Sequence, residues 1–107
     1  GGTTPFLLSR FIRQEQDMKD EAKKRMPNGA LYEYKKFYYE TAQGNHAGAL
    51  DALLRMIPLS QVLYGTDFPY RDGAEVNAGL AAYPFSAADR MAIERDNALK
   101  LMPRLKA

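Results

Sequence analysis

The 107-residue chain has no cysteine. That excludes a disulfide framework and a thiolate nucleophile, and it is compatible with a reducing compartment, so the expected setting is cytoplasmic. A strong excess of one charge is missing too: 15 Lys and Arg face 13 Asp and Glu. The net charge of +2 supplies no field that would call for nucleic acid or an anionic membrane. The basic cluster Lys19 to Arg25 is interleaved with Asp17, Asp20 and Glu21, which is the pattern of a solvated helix face. No apolar run approaches the roughly 20 residues needed to cross a bilayer. The opening "GGTTPFLLSRF" lacks a basic-then-apolar signal architecture and an initiator methionine. No internal repeat, low-complexity tract or linker divides the sequence, so residues 1–107 are expected to form part of one domain.

What is present is a set of amphipathic and aromatic segments. Leu7, Phe11, Met18, Ala22 and Met26 fall near one helical face, with Thr3 or Thr4 as the expected N-cap and Pro5 in the first turn. "PNG" at 27–29 stops that helix. The aromatic-rich "KKFYYETA" (35–42) predicts a strand. After the "QGN" turn, Asn45 is the expected cap of a helix carrying Leu50, Leu53, Leu54 and Ile57 at i, i+3, i+4, i+7, ended by Pro58. "QVLYG" (61–65) is continuously apolar and predicts a strand covered on both faces. A loop, "TDFPYRDGAE", leads to a short helix at 76–82. Ser86 then opens the last helix, with Asp89 as capping-box partner.

Helices alternating with short apolar strands predict a parallel α/β sheet. The strands 37–41 and 62–65 are expected to pair in parallel across the Leu50 helix through a right-handed crossover. Two parallel strands cannot by themselves make a sheet with both faces covered. The chain is therefore expected to be a fragment, cut from something longer. Such a piece should associate as a homo-oligomer or with the part of the fold it lacks, because both edges of its sheet would be open.

The segments "GGTTPFLLSRF", "KKFYYETA", "ALDALLRMIPLSQVLYGTDFPY" and "FSAADRMAIERDNALKLMPRL" resemble, in order and spacing, the C-terminal third of the amidohydrolase-related metal enzymes. The branch they resemble includes aminocarboxymuconate-semialdehyde decarboxylase and similar aromatic-acid decarboxylases. The resemblance implies the end of a (β/α)8 TIM barrel, roughly helix 6 through helix 8 with two parallel strands and without the N-terminal strands. It also implies a divalent metal, usually zinc, and a small carboxylate-bearing aromatic or muconate-like substrate, with either decarboxylation or hydrolysis as the reaction.

Residue roles follow from that resemblance. The aspartate of the family's "G-[ST]-D-[FY]-P" ends the eighth strand and ligates the metal, which maps onto Asp67 as both metal and catalytic residue. The plain structural alternative is an Asx-turn ahead of Pro69. The arginine five positions after the proline of "P-F" binds a substrate carboxylate, and Arg10 stands five after Pro5. A guanidinium fork suits that task, though a surface arginine is the simpler reading. Phe68 and Tyr70 are candidates for the pocket mouth, with Phe68 as a substrate contact. Asn97 is expected to be a buried amide tying the last helix to the barrel. Glu40 stands where the family often has aspartate.

The family's ligand histidines lie on strands outside these residues. His46, the one histidine, is expected to be a solvated helix-end residue. One carboxylate cannot hold a catalytic zinc, which takes about three protein ligands, so the isolated chain is expected to bind no metal cofactor and to be inactive. The rival reading is a non-catalytic fragment, stable only as an oligomer or serving as an interaction module, since fold similarity confers no activity.

Overall fold

Apolar spacing sets most of the helices, and a computed structural model describes their arrangement over residues 1–106. In chain order they are α1 (Thr3–Arg25), α2 (Ala30–Tyr34), β1 (Tyr39–Glu40), α3 (Ala47–Met56), β2 (Val62–Leu63), α4 (Gly73–Ala82), α5 (Ala87–Met91) and α6 (Asn97–Leu101). A single π-helical turn, Ala92–Asp96, joins α5 to α6. The molecule is mostly helical around two parallel strands, with Tyr39 opposite Val62 and Glu40 opposite Leu63. The predicted parallel pairing holds, but the strands are shorter than the sequence suggests. Lys35, Lys36 and Phe37 stay outside β1, where the Gln61 amide donates to the carbonyls of Lys35 (2.7 Å) and Phe37 (2.6 Å).

Several expected caps are corrected. The helical conformation reaches back to Gly2, so Thr3 and Thr4 lie inside α1 and neither caps it. A capping side chain needs an extended backbone, and neither threonine has one. His46 rather than Asn45 caps α3, its Nδ1 accepting from the Ala49 N–H. The Asn45 amide is drawn away to the Glu75 carbonyl, 3.0 Å distant. Ser86 does cap α5, its hydroxyl accepting from the Asp89 N–H at 3.0 Å. α4 begins earlier than its apolar residues imply because Asp72 accepts from the Ala74 N–H. α1 is not straight: Lys19 leaves the helical region at φ 47°, ψ −117°. No proline or glycine marks that point, so the apolar spacing reads straight through the kink.

The core gathers between the strands and the helices that follow them. Tyr39, Leu50, Leu53, Met56, Ile57, Val62, Val76, Leu80 and Ile93 form one buried cluster. Asn97 is 1 % exposed beneath it and donates to the carbonyls of Leu59 (2.8 Å) and Val62 (2.9 Å). The expected buried amide is therefore present, tying α6 to the start of β2. The π turn adds a second tie, since the Ile93 carbonyl accepts from the Tyr64 N–H at 3.1 Å.

Those two ties lie on one edge of β2. Backbone groups of alternate residues in a strand point to the same side, so Val62 and Tyr64 face one way while Leu63 and Gly65 face the other. Gly65 meets Thr41 on the β1 side, its N–H donating to the Thr41 hydroxyl (3.1 Å) while that hydroxyl donates to its carbonyl (3.0 Å). The outer edge of β2 is thus covered by the last helix, correcting the expectation that both edges stand open. On the far side, Gly1 lies against the Glu40 backbone of β1.

The arrangement is spread out for its size. The radius of gyration is 15.6 Å, against about 13 Å for a self-contained domain of similar length. The accessible surface is 7269 Å², against roughly 6,000 Å² for a folded monomer of this mass. Large aromatic side chains are among the exposed groups: Phe6, Phe68 and Tyr70 are 82 %, 81 % and 84 % exposed.

Candidate functional site

Both strands leave the sheet through a residue in the left-handed region that is not glycine. Beyond β1 it is Gln43 (φ 53°), and beyond β2 it is Asp67 (φ 64°). Such backbone costs about 1 kcal/mol or more and persists where surrounding structure over-determines it. The two residues face each other. The Gln43 amide donates to Asp67 Oδ2 at 2.7 Å, spanning the adjacent strand ends. Among the described residues Oδ1 of the same carboxylate accepts no hydrogen bond.

The approach to this pair is built by Thr41 and Gly65. The Thr41 hydroxyl, 1 % exposed, holds both backbone groups of Gly65 and so carries the strand pairing past its last ladder residue. Gly65 is needed for space: a methyl group there would run into the Glu40 carboxylate. That carboxylate is itself fixed, accepting from the Ala42 N–H at 2.6 Å. Beyond Gly65, the Thr66 hydroxyl accepts from the Phe68 N–H at 3.2 Å. The Asp67 carbonyl accepts from the N–H groups of Tyr70 (2.9 Å) and Arg71 (3.2 Å), closing the turn through its backbone.

Pro69 by itself removes the Asx-turn reading of Asp67. An Asx-turn uses the N–H two residues on, and Pro69 has none. The carboxylate is committed to Gln43 alone, with its second oxygen left for another partner.

A concavity of about 760 Å³ opens beside the pair, lined among others by Phe6, Glu40, Gln43, His46 and Ala49. Its size falls within the range of small-molecule sites. Gln43 thus touches both the concavity and Asp67. Phe68 and Tyr70 do not line it, and they project from the loop into solvent. Arg10 is exposed on α1, one helical turn beyond Phe6 on the same face, and also lies outside the lining. His46 is exposed at the start of α3, with Nδ1 occupied as the cap acceptor (3.4 Å from the Ala49 nitrogen). Of the sequence candidates, then, Asp67 and Phe68 share one loop, while Arg10 stands apart on another element.

For a divalent metal the donor set is incomplete. No three His, Cys, Asp or Glu side chains converge among the described residues. Among the described residues the fit extends to a single ligand position, the free carboxylate oxygen of Asp67. Among the described residues no helix is long and apolar enough to cross a membrane.

Sequence reasoning missed Gln43. The one available signal was its position in "QGN", a turn directly after β1, where a polar side chain sits as Asp67 sits after β2. Local pattern cannot say that two turns 24 residues apart are neighbours.

A 6-methylsalicylic acid decarboxylase of Aspergillus aculeatus is 31% identical over 117 residues, an alignment covering 99% of this chain and 34% of that protein. The crystal structure of a 2,6-dihydroxybenzoate decarboxylase complexed with 2,6-dihydroxybenzoate matches with a TM-score of 0.75 at 20% identity. It takes in 92% of this chain and 31% of that one. A 2,6-dihydroxybenzoate decarboxylase from Rhizobium matches at 0.68 over the same shares. The two structural matches speak for the fold alone. No family model matches. The chain spans about a third of the length of the proteins it resembles.

Proposed function

We propose, from the decarboxylase relative, the shared fold and the amidohydrolase-related resemblance of its motifs, that the chain forms the C-terminal third of a metal-dependent (β/α)8-barrel decarboxylase. The substrate class is a small carboxylate-bearing aromatic acid, the chemistry that the relatives' names share. The observation that carries this reading is the Gln43–Asp67 pair: a strained, exposed carboxylate at a strand end, with one oxygen held and the other free.

The neighbouring residues take matching roles. Asp67 Oδ1 is one ligand of a divalent metal, zinc by resemblance, whose remaining ligands lie outside these 107 residues. Bound there, such an ion would supply Lewis-acid polarisation of substrate oxygens. Asp67 otherwise serves as a fixed acceptor for a proton of the substrate or solvent at the strand ends. Arg10 pairs with a substrate carboxylate, and its position away from the concavity suits a site completed by another subunit. Phe68 lies against the substrate ring.

The excess surface and large radius of gyration support a chain covered by the rest of a barrel or by further copies, and a cytoplasmic setting belongs to the same proposal. A closing strand at the outer edge of β2 would have to displace the Tyr64–Ile93 and Val62–Asn97 hydrogen bonds. Hydrolysis in place of decarboxylation would use the same residues, and the relatives' names favour decarboxylation.

The test is made on the full-length protein that carries these residues. Asp67→Asn keeps the shape of the side chain but is a poor ligand and no base. It should fold normally and lose at least about 100-fold in decarboxylation of an aromatic acid. Full activity in the folded variant would sink the reading and favour the rival, a non-catalytic fragment that holds together by association.

A further inference from the structure

We infer that Gln43 is a positioning residue for Asp67: its amide locks the carboxylate through Oδ2 so that Oδ1 is presented, unpaired, at the strand ends. This rests on the reading of Asp67 as a metal ligand and adds a residue to it. A carboxylate only accepts hydrogen bonds, so the Gln43 nitrogen must be the atom that faces it at 2.7 Å. The contact fixes a choice between two otherwise equivalent oxygens. A single exposed aspartate in a loop would rotate freely, and a rotating ligand binds weakly because it must be ordered on binding.

The backbone shows that this contact was built at a cost. The turn after β1 closes with the Gly44 N–H donating to the Thr41 carbonyl at 3.0 Å. Within it Gln43 takes the left-handed conformation at φ 53° although the adjacent residue is a glycine, the residue that adopts it freely. Placing glycine at 43 would relax the turn and delete the side chain that, among the described residues, hydrogen-bonds the Asp67 carboxylate. The strain and the contact therefore arise from the same residue, and they can be separated by experiment.

In the full-length protein, zinc alone is titrated by calorimetry and thermal unfolding is followed for each variant. Gln43→Leu, which fills similar space but donates nothing, should weaken zinc binding about 10- to 100-fold. Gln43→Gly should weaken it as much while leaving the Tm unchanged or higher, because the left-handed strain is relieved. A merely structural glutamine predicts the opposite pairing, a lower Tm with zinc affinity intact. Asp67→Asn calibrates the series. If it abolishes binding while both Gln43 variants bind zinc as the wild type does, the positioning role is overturned and the ligand reading stands. If Asp67→Asn binds zinc normally, the ligand reading falls and the positioning role falls with it.

Discussion

The two ends of β2 are made of different materials. At its start, Asn97 donates to the carbonyls of Leu59 and Val62, and along the same edge the Ile93 carbonyl accepts from the Tyr64 N–H, in a region where Val62, Ile93 and Asn97 are almost wholly excluded from solvent. At its far end stand Gly65, Thr66 and Asp67, increasingly exposed, with the backbone in the left-handed region and a carboxylate oxygen left without a partner. Cohesion is concentrated at one end, and strain with unused polar capacity at the other. Proteins with strands in parallel commonly separate the two in this way, with stability at one face and chemistry at the carboxyl ends. The contrast says where substitutions should hurt folding and where they should hurt only function.

Asp67→Asn is the sharpest probe of it. The loss of at least about 100-fold in decarboxylation should come with a Tm close to the wild-type value. Asn97→Ala should do the reverse. It leaves the buried Val62 carbonyl without its donor, while the Leu59 carbonyl keeps the Val62 N–H, and it should cost about 2–3 kcal/mol by urea unfolding even though it also removes the unpaired buried Oδ1 of Asn97. If Asn97→Ala unfolds like the wild type, the cohesive end has been misplaced.

A smaller effect is expected at Gly65, where the far end begins. Gly65→Ala must turn the Glu40 carboxylate away from the Ala42 N–H, at a cost of about 1–2 kcal/mol. Glu40→Ala in the same chain should recover part of that loss, and no recovery would mean the clash lies with backbone.

The smallest effect concerns pH. Burial, with a lesser contribution from Tyr34, raises the Tyr39 phenol above its ordinary value of 10.0, against an opposing contact from Thr4. Folding then favours the neutral phenol. Its contribution is present below pH 10 and is lost as pH rises through the folded-state value. Tyr39→Phe should flatten the alkaline limb of the stability profile. At neutral pH it should cost about 1 kcal/mol, for the hydrogen bond its hydroxyl donates to the Tyr34 carbonyl. An unchanged alkaline slope would remove Tyr39 from the account.

Legibility in the sequence follows the range of each interaction. The α3 core face, the Ser86 cap and the parallel pairing were all visible, because each is written in spacings of three or four residues or in a run of apolar ones. The candidate site was half visible. Asp67 and Phe68 stand in a recognisable motif, whereas Gln43 has no motif and becomes functional only by reaching 24 residues along the chain.

Alone, the sequence determined the alternation of helices and strands, the faces the helices bury and the carboxylate that follows the second strand. The tertiary structure decided the rest: that His46 caps α3 while Asn45 reaches Glu75, that the last helix yields one π turn to cover β2, and that Asp67 is gripped by Gln43 instead of by its own turn. Each of these is a choice among polar groups with several partners in reach. Local periodicity ranks apolar positions by burial, but it carries no information on which hydrogen-bonding groups meet once distant turns are brought together.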